Sequence, residues 1–156
     1  MSENSPQLSE VCAQVLEQHA FMFAGPDPGP VPDHRAAPML MLTIHFSGPV
    51  RGKLELVVPE EMGATLAANL LGIEPAEALA QGEDALKELL NIMCGQVLTA
   101  FHGSGAVFEL SIPLALKIDK AAVEGFGAMP GTVRLVADDV FAVWACYQVV
   151  GVGGGA

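Results

Sequence analysis

The chain has 156 residues, enough for one domain with a sizeable core and short for two. Its apolar fraction of 51% fits a well-buried globular protein, yet no run approaches the ~18 to 20 uninterrupted apolar residues of a membrane span. Seven basic against eighteen acidic side chains give a formal charge of -11, which repels phosphate backbones and argues against nucleic acid as a partner.

The opening segment MSENSPQLSE lacks a basic region followed by an apolar core, so no targeting segment is expected and a cytoplasmic location is. Cys12, Cys94 and Cys146 are widely spaced, form no CxxC pair and sit among apolar neighbours, which reads as buried free thiols.

From Leu8 to Phe23, apolar residues at Leu8, Val11, Cys12, Val15 and Leu16 follow helical spacing, with Ser5 and Pro6 suited to a cap and first turn. Residues 25–38, GPDPGPVPDHRAAP, are expected to be a loop. Residues 39–46 and 50–58 read as a hairpin joined at SGP. In its second strand Arg51, Lys53 and Glu55 alternate with Gly52, Leu54 and Leu56, so one face is solvated. PEEMGATLAANLLGI predicts a helix with Pro59 near its start, acidic residues in its first turn and a Schellman-type end at Gly72 and Ile73. The segment EPAEALAQGE leads through at most one short turn into a second amphipathic helix, residues 83–101.

Residues 107–118 alternate as a single strand, with Phe108, Leu110, Ile112, Leu114, Leu116 and Ile118 on one face and Glu109, Ser111, Pro113 and Lys117 on the other. A loop with room for one helical turn follows. Residues 132–137 and 140–150 are strands meeting at a tight turn of Asp138 and Asp139. The tail GVGGGA, residues 151–156, is expected to be flexible, leaving residues 1–150 as the domain. The order α-β-β-α-α-β-β-β describes an α+β fold, an antiparallel-rich sheet covered by helices on one face. Its open face is a natural dimer surface.

The helix of residues 83–101, EDALKELLNIMCGQVLTAF, carries the candidate site. At about 100° per residue, Asp84, Glu88, Asn91 and Gly95 fall within roughly 60° of one another, opposite Leu86, Leu89, Leu90, Met93 and Val97. Asp84 to Glu88 is an i, i+4 step and Glu88 to Asn91 an i, i+3 step, so the side chains project from one ridge. Gly95 costs about 1 kcal/mol against Ala in a helix interior, and its missing side chain lets a partner approach. By spacing alone these residues suit an N-cap or first-turn acid, a solvated charge and a surface amide better than they suit a site. A weak repeat aligns CAQVL (12–16) with CGQVL (94–98), setting Ser9 against Asn91 and Pro6 against Glu88. Only the second copy carries the polar set.

DALKELLNIMCGQ, with Pro113 on the following strand, resembles the signature of the CheC and CheX chemotaxis phosphatases: Asp or Ser, three residues, Glu, two residues, Asn, then a later proline. Asp84, Glu88 and Asn91 match it position by position, Gly95 matches the glycine usual one turn later, and Pro113 arrives one residue early. The single polar set is closer to the single-site CheX type. The resemblance implies a phosphatase acting on the aspartyl phosphate of a CheY-type response-regulator receiver. It assigns Asn91 to positioning water, Glu88 to contacting the receiver's lysine, and Asp84, Gly95 and Pro113 to support and docking. It implies no cofactor in this chain, with Mg²⁺ on the partner receiver; the open sheet face adds the expectation of a homodimer. The alternative within the same likeness is a non-catalytic receiver-binding adaptor or a flagellar-switch-like binding module.

Other chemistries have weaker signals. His19, His34, His45 and His102 lie in separate predicted elements without metal-ligand spacing, and His45 reads as a surface side chain. Ser104 in HGSGA follows a helix where a nucleophile elbow would follow a strand, so a turn is expected. Trp144, in an apolar strand, belongs to the core or a dimer interface.

Overall fold

A computed structural model describes residues 5–26 and 38–152. Helix α1 (Ser5–His19) buries Leu8, Val11, Cys12, Val15 and Leu16, the residues its periodicity selects. Past its end Ala20 and Met22 are also buried, and Phe21 takes a left-handed φ of 57° that turns the chain into a short strand, β1 (Ala24–Pro26). The sequence reading assigns Gly25 and Pro26 to a loop. So short a Gly-Pro segment carries no periodicity, and it becomes a strand only by pairing with a distant one. Of the expected loop, residues 27–37 lie outside the described residues.

β2 (Met39–Ser47) and β3 (Val50–Pro59) form the expected hairpin. The remaining strands are β4 (Glu109–Leu110), β5 (Leu114–Ile118), β6 (Val133–Ala137) and β7 (Phe141–Val152). All pairings are antiparallel, in the order β1-β6-β7-β3-β2, with β4 and β5 both on the outer edge of β2. Asp138 and Asp139 both take left-handed φ, 54° and 57°, and Val140 closes the β6–β7 turn by donating to the Ala137 carbonyl at 3.1 Å. That geometry matches the right-handed twist of a hairpin. The same turn holds β1, because the Phe23 amide donates to Asp138 Oδ1 at 2.9 Å and the Asp138 amide to the Phe23 carbonyl at 2.7 Å.

Two expectations for the strands are corrected. Residues 107–118 are not one strand with one apolar face. Phe46 pairs with Leu110 but Thr43 with Leu114, so this edge uses one residue more than β2 does, as in a bulge. Ser111 spans the break: its amide donates to the His45 carbonyl, and its hydroxyl accepts from the His45 amide, each at 2.9 Å. The extra residue reverses the alternation. Phe108 and Leu110 face the main core, whereas Leu114 and Leu116 point to the opposite side and remain 64% and 60% exposed. Gly151 and Val152, read as tail, are the last residues of β7, paired with Arg51 and Val50 past a bulge. Backbone pairing needs no side chains, so composition hid it; residues 153–156 lie outside the described residues.

Helix α2 (Glu60–Leu71) ends as expected, with Gly72 at φ 70° and both its amide and that of Ile73 donating to the Ala68 carbonyl. Two 3-10 turns, Pro75–Glu77 and Leu79–Gln81, replace the single turn expected before helix α3 (Gly82–His102). α1, α2 and α3 cover the sheet face formed by Leu40, Leu42, Ile44, Leu54, Leu56 and Val58. A fourth helix, α4 (Lys120–Gly127), lies on the opposite face, where Phe126 packs with Trp144, Val57 and Met39. The sequence reading allows this segment no more than one helical turn within a loop, since its two glycines weaken helix propensity. Asp119 starts it, its side chain accepting from the Ala122 amide at 2.8 Å. Trp144 is thus a core residue of the second face.

Cys12, Cys94 and Cys146 are free and buried. Among the described residues no helix is long and apolar enough to cross a membrane.

Candidate functional site

Helix α3 is fixed at both ends. At its start, a Cβ on Gly63 of α2 would come within 2.7 Å of the Gly82 carbonyl oxygen, so the two backbones meet more closely than any side chain allows. At its end, His102 Nε2 and the Tyr147 hydroxyl hydrogen-bond at 2.6 Å, and the Phe101 ring meets Tyr147 edge-on at 4.8 Å. Burial, together with nearby Cys94, pushes the Tyr147 phenol up to about 12, so it stays protonated. Gln7 of α1 donates to the Ala100 carbonyl at 3.1 Å. Between these anchors Leu86, Leu89, Leu90, Met93, Cys94, Val97 and Leu98 are buried. A side chain on the outer face therefore projects from a rigid element.

On that outer face the structure brings together four of the expected residues. Asp84 and Glu88 are exposed; Asn91 and Gly95 are half-buried. Among the described residues, none of the Asp84, Glu88 and Asn91 side chains has a hydrogen-bond or ion-pair partner. Lys87, the nearest cation in sequence, is taken by Glu83 at 3.3 Å. Asp84 is a first-turn residue and not a cap: Gln81 holds the N-cap position, with no side-chain cap bond. Its charge complements the helix N-terminus electrostatically. The fold makes no internal use of the Glu88 and Asn91 side chains. Their donors and acceptors are open to a partner.

Pro113 is not on α3 or within a strand: it lies half-buried in the break between β4 and β5. Without an amide hydrogen it cannot extend the β2 ladder, which suits the interruption there.

Beside Gly95 the surface dips. Gly95, Leu98, Thr99, Ala106, Phe108 and Leu110 line a pocket of about 170 Å³ between α3 and the segment entering β4. The sequence reading misses it. Thr99 continues the helical phase of Gly95 and could have been found; Phe108 and Leu110 join the site only because β4 docks there.

Among the described residues no group of three or more His, Cys, Asp or Glu could hold a metal ion. His45 is exposed on β2, and Ser104 sits in an exposed turn after α3.

Residues 40–141 match the family model "Chemotaxis phosphatase CheX". No curated protein sequence is significantly similar to the chain. Among solved structures, a putative chemotaxis protein from Desulfovibrio vulgaris Hildenborough is similar with a TM-score of 0.64 at 17% identity, over 94% of this chain and 97% of that one. A chain of the CheX–CheY–BeF3–Mg²⁺ complex from Borrelia burgdorferi matches with a TM-score of 0.58 at 18% identity, over 92% and 96%. FliY of Thermotoga maritima matches with a TM-score of 0.56 at 12% identity, over 97% and 91%. At such identities these likenesses show a shared fold. The family match spans most of the chain, including α3 with its exposed polar ridge, and the chain belongs to the CheX family of chemotaxis phosphatases.

Proposed function

We propose that this protein accelerates hydrolysis of the aspartyl phosphate on a CheY-type receiver, with Asn91 and Glu88 of α3 as the residues that enter the receiver's active site. The observation that carries this reading is the unpaired Glu88–Asn91 ridge on a rigid, anchored helix in a chain of this family. The receiver supplies Mg²⁺ and a lysine to neutralise phosphoryl charge, leaving the placement of water as the remaining task. The BeF3 and Mg²⁺ of the Borrelia burgdorferi complex accord with a metal on the partner.

In the reaction, the water oxygen bonds to phosphorus as the bond to the aspartyl oxygen breaks. Inorganic phosphate leaves, the receiver's carboxylate is regenerated, and the proton lost by water ends on phosphate. The Asn91 carboxamide is too weak a base to remove that proton. Its oxygen accepts a hydrogen bond from the water and fixes the approach along the line of the breaking bond. Glu88, one turn earlier, takes a charge-assisted contact with the receiver's lysine and holds the helix at that depth. Asp84 supports docking at the helix start, and Pro113 shapes the neighbouring edge.

The same reading makes the protein a cytoplasmic homodimer, with the exposed sheet face around Leu114 and Leu116 covered by a second copy. Sedimentation of the Leu116→Glu variant tests this, with a shift to monomer expected.

The functional test is the decay of an Mg²⁺-bound, phosphorylated CheY-type receiver from the same organism, with and without this protein and its Asn91→Ala variant. Accelerated decay that the variant loses is the expected result. Binding without acceleration would replace the phosphatase by an adaptor.

A further inference from the structure

Gly95 has no reason in its own fold to be glycine. It lies mid-helix, where glycine costs about 1 kcal/mol against alanine, and a Cβ built on it meets nothing within 4 Å. Gly63 differs, since its neighbours leave no room for a Cβ. The space kept empty at Gly95 opens into the pocket formed with Leu98, Thr99, Phe108 and Leu110.

The chemistry of the ridge changes along its length. Asp84 and Glu88 are anionic, but from Asn91 to Phe101 the helix has no ionisable side chain apart from buried Cys94. Gly95 follows Asn91 by about 6 Å along the axis. A protein that seats its active site over Asn91 covers roughly 800 Å² of this surface at a standard-size interface, which reaches well past Gly95. Whatever lies there in the complex meets an uncharged hollow whose side chains, Thr99 apart, are apolar, with polar surface interspersed among them. A cavity of about 150 Å³ lined by aliphatic and aromatic groups is enough for a benzene ring. The pocket at Gly95, about 170 Å³, therefore has the capacity for one branched aliphatic or aromatic side chain.

We propose that this pocket is the second contact point of the docked receiver: it takes an apolar side chain from the receiver's surface while Glu88 and Asn91 engage the phosphorylation site. The inference rests on the reading of the ridge as the receiver-binding face. It adds a specificity determinant that contributes binding energy and not chemistry. A receiver with a charged side chain at that point of its surface is rejected, because the charge would be desolvated against Leu98 and Phe108 without a partner.

The test is binding of a CheY-type receiver loaded with Mg²⁺ and beryllofluoride to the wild type, Gly95→Leu, Thr99→Glu and Asn91→Ala, together with turnover at low and saturating phosphorylated receiver. Gly95→Leu fills the pocket from a site with room for its Cβ, and Thr99→Glu puts a charge on the exposed rim, so both should fold. We expect at least a tenfold weaker affinity for both, with turnover restored for Gly95→Leu at saturation. Asn91→Ala should show the reverse, near-normal affinity and no acceleration. If the wild type binds and accelerates decay but both pocket variants bind equally well, the pocket proposal is overturned and the reading of the ridge survives. If the wild type neither binds nor accelerates, that reading fails and the pocket proposal with it.

Discussion

Helices α1 and α3 solve the same packing problem and differ in what they offer outward. Their aligned residues Cys12 and Cys94, Val15 and Val97, and Leu16 and Leu98 are all buried against the same face of the sheet. On the outer side α3 presents Glu88 and Asn91, where the alignment gives α1 Pro6 and Ser9. The inward residues answer to the core; the outward ones are left to function. An apolar stripe at helical spacing therefore says that a helix packs, whereas the residues opposite it say what the helix is for.

The largest expected effect separates the two outer faces. Asn91→Ala should return receiver dephosphorylation to its spontaneous rate, a loss on the order of a hundredfold or more if orientation of water is its role. Its unfolding free energy should stay within about 0.5 kcal/mol of the wild type. Ser9→Ala, at the aligned position of α1, should leave the rate unchanged, and equal losses in a phosphatase assay would undo the comparison.

The inward faces should behave alike. Leu16→Ala and Leu90→Ala each remove a fully buried side chain and should cost about 2–5 kcal/mol in urea unfolding. A marked difference would show that one helix collapses around its cavity and the other cannot.

Glycines sharpen the point within the helical layer. Gly63→Ala forces a Cβ against the Gly82 carbonyl and should destabilise by about 1–3 kcal/mol. The buried thiols come next. Burial pushes Cys12 and Cys94 up to about 12 from 9.0. The unfolded chain releases these protons first, so their contribution to stability is fully present below pH 9 and is lost as pH rises through 12. Between pH 9 and 10 the decline should be about 1 kcal/mol per thiol, and Cys12→Ala should remove one thiol's share of it in pH-dependent denaturation. The smallest effect belongs to Gly95→Ala, a gain of up to about 1 kcal/mol in thermal unfolding. A loss there would mean that Gly95 serves the fold after all.

What the sequence alone determined is whatever depends on local periodicity and local chemistry. The buried faces of α1 and α3, the β2–β3 hairpin, the Gly72 helix end and the Asp138–Asp139 turn all follow from residues a few positions apart. So does the grouping of Asp84, Glu88, Asn91 and Gly95, because one helix sets their phase. Only the tertiary structure decided the features that require two distant segments. β1 exists through β6, and the end of β7 through β3. The bulge at Ser111, made by pairing with β2, turned Phe108 and Leu110 toward the core and Leu114 and Leu116 away from it. The pocket beside Gly95 is of the same kind. Half its lining comes from α3 and half from the segment around β4, and no periodicity within either could announce where they meet.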